Sequence, residues 1–208
     1  MITNQFSEPA RKDILSNEKA LSRLKKLEVE LNKQGLQGKH ITHTLPAIFG
    51  NTREQCRIAL DLSPNHYQKF IKIKPGEAKK NPGTVSLTIM IRLYIKHPEY
   101  WPIAQPAEID IQKLDEKLPE WITPWQKGVI SLLTGRSKSR GYAWLKGGLN
   151  NNPSPTMQIL GYLTTLINSK EDKSEEFEEY LRDIIGPETE YREIQDIFNS
   201  LSWNSSDE

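Results

Sequence analysis

Residues 135–148, GRSKSRGYAWLKGG, combine side chains that could contact a polyanion with side chains that could anchor a helix. The segment carries four basic and two aromatic residues ahead of a glycine pair: Arg136, Lys138, Arg140, Lys146, Tyr142 and Trp144. Lysine and arginine donate hydrogen bonds to phosphates and guanine edges, and serine can pair with any base. The segment is therefore either an amphipathic surface helix or a helix that reads DNA.

The net charge of +1 conceals an uneven distribution along the chain. Residues 1–98 hold 17 Lys and Arg against 8 Asp and Glu, a net of +9. Residues 99–170 have a net charge of +2, and residues 171–208 a net charge of −10. A basic front half favours a polyanionic partner, although scattered solvated lysines would give the same count.

The elements that must position these side chains are all helical, since apolar residues recur at helical spacing and no segment alternates as a strand does. The predicted helices cover residues 13–34, 45–49, 52–60, 64–74, 85–96, 108–118, 124–134, 138–146, 156–168, 175–185 and 190–201. We expect a linker over residues 98–107 and disorder over residues 202–208.

Local signals set the predicted helix ends. Ser16 is a candidate N-cap of the first helix, and Ser63 caps a helix whose first position is Pro64. Pro75-Gly76 ends that helix, and Gly186-Pro187 separates the last two.

A pattern repeats at an offset of 74 residues, which places Ser63 on Ser137. LDLSPNHYQKF then aligns with TGRSKSRGYAW, so that Phe70 matches Trp144. Each copy has a helix, a turn with serine, a second helix, a polar loop with Asn-Pro and an apolar helix. This order favours an internal duplication, although two helical pairs can also be slid into partial register by chance.

The second copy resembles the Cro/phage-repressor-like helix-turn-helix family. The residues that carry the resemblance are the Gly-x-Ser turn, an aromatic residue seven positions after the serine, a glycine and a proline-containing loop: Gly135, Ser137, Trp144, Gly147, and Pro153 or Pro155. It covers residues 124–168 well and residues 45–97 weakly. In the first copy Asp61 replaces the turn glycine, a position that requires a left-handed or strained backbone.

The resemblance implies that the second helix of each copy enters the major groove. In copy two we expect Lys138, Ser139 and Tyr142 to face bases, with Arg136, Arg140 and Lys146 toward phosphates, while Gly141, Trp144 and Leu145 pack inward. In copy one, the corresponding DNA-binding residues are Asn65, His66, Gln68, Lys69 and Lys72. The loop that follows adds Lys74, Lys79 and Lys80 as phosphate contacts, and Phe70 is expected in the core.

The predicted organisation is an N-terminal helix and linker (1–44), a first helix-turn-helix unit (45–97), a linker with a short helix (98–123), a second unit (124–169) and an acidic helical tail (170–208). If the units stood roughly 34 Å apart, one chain could span two half-sites of double-stranded DNA, with residues 98–123 setting that spacing. The terminal helices could serve packing, a homodimer or a protein partner. The tail could instead cover the basic face.

Other chemistry has little support in the sequence. His40 and His43 form an H-x-x-H pair without further ligands, so we predict no metal, and no catalytic motif or cofactor site appears. The lone Cys56 excludes an internal disulfide and suits a cytoplasmic protein. No apolar run is long enough for a membrane span. The expected function is a DNA-binding transcriptional regulator of bacterial, phage or plasmid type. A plasmid transfer or partition accessory, or a helical protein–protein adaptor, are the alternatives.

Overall fold

The computed structural model describes residues 16–102, 109–118, 128–147, 149, 154–169, 174–197 and 203. Within these ranges the chain forms helices and turns without a strand, which confirms the all-α prediction. The α-helices are α1 (Glu18–Gln34), α2 (Leu45–Phe49), α3 (Arg53–Ala59), α4 (Pro64–Phe70), α5 (Val85–Lys96), α6 (Ile111–Glu116), α7 (Ile130–Leu133), α8 (Lys138–Leu145), α9 (Ser154–Asn168), α10 (Ser174–Tyr180) and α11 (Gly186–Tyr191). Two π-helical turns, His40–Thr44 and Leu181–Ile185, precede α2 and α11.

Helix α5 lies at the centre of the hydrophobic core, and every residue from Val85 to Ile95 is buried. A helix that is apolar on all sides must be covered on all sides. Helix α5 packs against α1, against α9 and against the π-helical turn before α11. The two predicted units therefore share one core.

Polar contacts across this core join the two halves of the chain. The Ser86 hydroxyl at the start of α5 donates to the Thr134 carbonyl at 2.7 Å, and Thr156 of α9 donates to Ser86 at 3.2 Å. Further along the same helices, the Tyr94 hydroxyl donates to Gln158 at 2.7 Å. Direct packing of α5 on α9 holds the two units at a fixed distance.

The C-terminal helices are anchored by a buried ion cluster. Glu188 of α11 accepts from Arg92 of α5 at 3.1 Å and from Arg192 at 2.7 Å, and all three side chains are at most 2% exposed. Arg192 also donates to the Ala78 carbonyl and to the Thr84 hydroxyl, both at 2.9 Å. A charge removed from water needs such partners, so the acidic tail is part of the folded core over these residues.

Several predicted helix ends differ from the structure. Helix α6 is shorter at both ends than the predicted 108–118, α7 is helical only over Ile130–Leu133 among the described residues of 124–134, and the helix predicted over 190–201 ends at Tyr191. Two further differences have an identifiable cause. The N-cap of α1 is Asn17, whose side chain accepts from the Ala20 amide at 3.1 Å, and not Ser16. Helix α4 ends at Phe70, before the predicted end at Pro75, because a backbone carbonyl that follows it accepts a hydrogen bond from another part of the chain. The Gly38 amide donates to the Ile73 carbonyl at 2.9 Å, which draws the chain toward the end of α1.

The predicted break at Gly186-Pro187 is wrong, since the helix continues through it from Ser174 to Tyr191. A proline ring clashes with the carbonyl four residues earlier in a regular α-helix. Here the preceding turn is widened into the π-helical Leu181–Ile185 segment, which accommodates Pro187.

The predicted disorder of residues 202–208 is wrong at Trp203, which is 3% exposed. Its indole N–H donates to the Leu132 carbonyl of α7 at 2.9 Å. The other residues of that stretch lie outside the described residues.

Candidate nucleic-acid interface

The turns that join α3 to α4 and α7 to α8 have the same geometry. Asp61 and Gly135, 74 residues apart, have φ of +48° and +75°. The Asp61 amide donates to the Ile58 carbonyl at 2.8 Å, as the Gly135 amide donates to Leu132 at 3.0 Å. The next amide of each turn donates to the carbonyl five residues back, from Leu62 to Arg57 at 3.0 Å and from Arg136 to Ser131 at 2.8 Å. The repeated pattern in the sequence therefore corresponds to a repeated backbone conformation.

The serines of the two turns have matching backbone angles but different side-chain contacts. Ser63 has φ −59° and ψ 152°, and Ser137 has φ −66° and ψ 151°. The Ser63 hydroxyl accepts from the His66 amide at 3.3 Å, as an N-cap does. The Ser137 hydroxyl instead bonds the Ser139 hydroxyl at 2.9 Å, so the predicted capping bond is absent there.

The residue four positions before each turn residue ties the first helix to the turn. Ser131 of α7 is buried and its hydroxyl donates to the Ser137 carbonyl at 2.9 Å. Its counterpart Arg57 donates from its guanidinium to the Leu62 carbonyl. In both copies this side chain donates a hydrogen bond to a backbone carbonyl of the turn, although serine and arginine differ in size.

Helix α8 docks through a close approach of two backbones. A Cβ on Gly141 would lie 2.0 Å from the Gly128 carbonyl oxygen, so only glycine fits there. Trp144, one turn later, is 2% exposed, and Leu145 is half-buried. The predicted packing face of α8 is confirmed.

Helix α4 docks more loosely, since none of its residues is buried. Tyr67 and Phe70 are half-buried and pack against the core, so Phe70, predicted as a core residue, lies at the edge of the core. The shortening of α4 leaves Phe70 in its last turn, at the edge of a groove. The rest of the helix projects from the core.

Most predicted DNA-binding residues are exposed on these two helices. On α4 and just after it, the exposed residues are Asn65, His66, Gln68, Lys69 and Lys72. On α8 and its last turn, they are Ser139, Arg140, Tyr142 and Lys146. Arg136 and Lys138, at the start of α8, are half-buried.

The loop after α4 differs from its predicted role at one residue. Lys79 forms an ion pair with Glu193, just beyond α11, while Lys80 is exposed. The pairing follows from the anchoring of Arg192, which donates to the Lys79 carbonyl at 3.2 Å and brings Glu193 alongside. Lys79 is therefore engaged within the protein and is not an unpaired phosphate contact.

A groove of about 350 Å³ lies where the two units meet. Its walls come from α4, from the loop before α5 and from the turn before α8, and its lining residues include His66, Lys69, Phe70, Asn81, Arg136 and Pro155. Arg136 is placed there because the turn at Gly135 packs on α5, with Gly135 so close to Val85 that a Cβ would lie 2.7 Å from its side chain. Sequence reasoning missed this groove, because no local pattern shows that residues 66 and 136 meet.

Arg136 keeps its charge in a partly dry environment. Burial lowers the pKa of its guanidinium, and the nearby charge of Arg140 lowers that pKa further. No ion pair among the described residues involves Arg136. Arg136 and Arg140 are two neighbouring cations and attract an anion, against the opposing charge of the Asp61 carboxylate that lines the same groove.

Of the two histidines in the H-x-x-H pair, only His40 is part of the protein interior. His40 is buried, accepts from the Gln37 amide at 3.2 Å and bonds Glu30 at 3.1 Å, whereas His43 is exposed beside Arg53. His40 therefore lies in the interior and not on the surface, and its bond to the Gln37 amide, just before the helical turn that begins at Gly38, is a capping contact. Over the described part of the chain, no group of three or more potential metal ligands occurs. Burial raises the pKa of the Cys56 thiol to about 12.

Comparison of the chain with protein-family models, curated proteins and solved structures finds no match. Among the described residues, every helix is too short or too polar to cross a lipid bilayer.

Proposed function

We propose that the chain binds double-stranded DNA sequence-specifically through α4 and α8, as a transcriptional regulator in the cytoplasm of a bacterial, phage or plasmid system. The observation that carries the proposal is the pair of matching turns at Asp61 and Gly135, each followed by a helix with an exposed polar and basic face. A helix after a short turn is the arrangement that enters a major groove.

The burial pattern supports DNA over a protein–protein adaptor. A helix that docks on a protein partner presents an apolar face, whereas α4 exposes Asn65, Gln68 and Lys69. Asparagine and glutamine pair with adenine edges, and lysine with guanine or phosphate. Helix α8 buries Gly141 and Trp144 and leaves its polar side outward. We propose a binding protein and not an enzyme.

The shared core supports one asymmetric site for both units. Within their bounds the two helices differ at every exposed position, although Lys72 and Lys146 just beyond them match, and the two units are held by direct packing of α5 on α9. A palindromic operator is recognised by two identical helix-turn-helix units, and the two units of this chain are not identical. We therefore expect a single non-palindromic recognition sequence.

The test is selection of bound sequences from random duplex DNA by the full chain. The expected result is one asymmetric motif, bound with an affinity that falls steeply with salt. The double variant K138A/R140A should lose at least tenfold in affinity, because α8 then lacks a base contact and a phosphate contact. Its matched control is K25A, which removes an exposed lysine of α1. Recovery of no motif, with no salt-dependent binding, would contradict the proposal.

A further inference from the structure

The groove between the two units brings together basic side chains that the sequence separates by about seventy residues. One wall carries His66 and Lys69 of α4, and the other carries Arg136 from the turn before α8. The Lys69 side chain is exposed to solvent, whereas the Arg136 side chain is half-buried and has less room to move.

Lys69 and Arg136 are the positively charged groups of the lining. The Asn81 side-chain oxygen accepts from the Gly83 amide at 3.0 Å, so only its NH2 group remains to donate. Ser86 donates to the Thr134 carbonyl. The Asp61 carboxylate also borders the groove and is the opposing negative charge there. Leu87 and Pro155 make the rest of the surface apolar.

We propose that this groove binds one phosphate of the DNA backbone, held between Arg136 on one wall and Lys69 and His66 on the other. The inference rests on the proposed function and adds to it a shared contact, because a single phosphate is held by both units. A guanidinium that is partly withdrawn from water binds phosphate more strongly than an exposed one, since less hydration is lost on contact. The rigid α5–α9 core keeps the two walls at a constant separation.

If both units hold the same phosphate, the loss of that phosphate's charge has an effect that would not occur if each unit held a separate phosphate. Ethylation of that phosphate removes its charge and should weaken binding of the wild-type chain. In R136A and in K69A, ethylation at the same position should have little further effect, and each variant should reduce the salt slope by about one. R136K keeps a charge in the groove and should retain part of the sensitivity, and K25A should retain all of it.

The assay is ethylation interference on a duplex recovered by selection, with thermal unfolding by circular dichroism to show that each variant folds. Loss of sensitivity at one common phosphate in both R136A and K69A is the expected result. Loss at two separate phosphates, or unchanged sensitivity in both, would overturn the shared contact while the proposed DNA binding stood. Failure of the wild-type chain to bind any duplex would instead reject the proposed function itself.

Discussion

Replacement of Gly141 by alanine should destabilise the protein, against the ordinary preference of helices. In an exposed helix interior, glycine to alanine stabilises by about 1 kcal/mol. In α8 the added Cβ would lie 2.0 Å from the Gly128 carbonyl oxygen, whereas ordinary contact begins at 3.4 Å. The two backbones must therefore separate by more than 1 Å.

Gly128 cannot yield easily, because its carbonyl also accepts from the Ser131 hydroxyl at 2.9 Å and so holds the start of α7. Overpacking of this kind costs about 1–3 kcal/mol, and loss of contact around Trp144 adds to it. We expect G141A to lower the free energy of unfolding by about 1–3 kcal/mol, measured by urea denaturation. The control A143G, on the exposed side of α8, should lose about 1 kcal/mol from helix propensity alone. A stability of G141A equal to or above that of wild type would refute the close approach.

Three further changes test separate features of the fold. E188Q should cost about 3–5 kcal/mol in urea denaturation, because two buried arginines lose their carboxylate, while E178Q on the exposed side of α10 should change stability by less than about 0.5 kcal/mol. Burial lowers the pKa of His40 from its ordinary value of 6.5, against the opposing effect of its carboxylate partner, so the unfolded chain binds more protons. Stability should therefore be full above pH 6.5 and fall as the pH is lowered through that value, and H40Q should show a shallower fall over the same range. At Asp61, D61G should stabilise the protein by up to about 1 kcal/mol and D61V should destabilise it by about 1–2 kcal/mol, since only the first relieves the left-handed backbone; equal thermal midpoints for the two variants would contradict a positive φ.

Much of the local structure follows from the sequence because its causes are local. The bounds of α2 and α5 agree with the prediction, and α4 begins at Pro64 after the Ser63 cap. The positive φ at Asp61 was predicted from its alignment with Gly135, since a tight turn requires the same backbone angle whichever residue occupies it.

Predictions failed where a distant contact decides the outcome. Helix α4 ends early because the Ile73 carbonyl accepts from Gly38, and the C-terminal helix passes through Pro187 because a π-helical turn precedes it. The sequence allows the acidic tail to pack on the chain, to bind a partner or to cover the basic face, and the ion pair of Glu188 with Arg92 shows that it packs on α5. No single segment contains the information for such contacts.

The sequence by itself determined the all-helical character, the Ser63 cap and the repeated turn, because hydrophobic period, capping side chains and backbone sterics act within a few residues. Only the tertiary structure decided which faces of those helices meet. Packing of α5 on α9 brings Arg136 to the groove beside Lys69, and the return of the C-terminal chain pairs Lys79 with Glu193. These contacts join residues far apart in the chain, so the candidate interface depends on the shared core as much as on the basic residues that first indicated it.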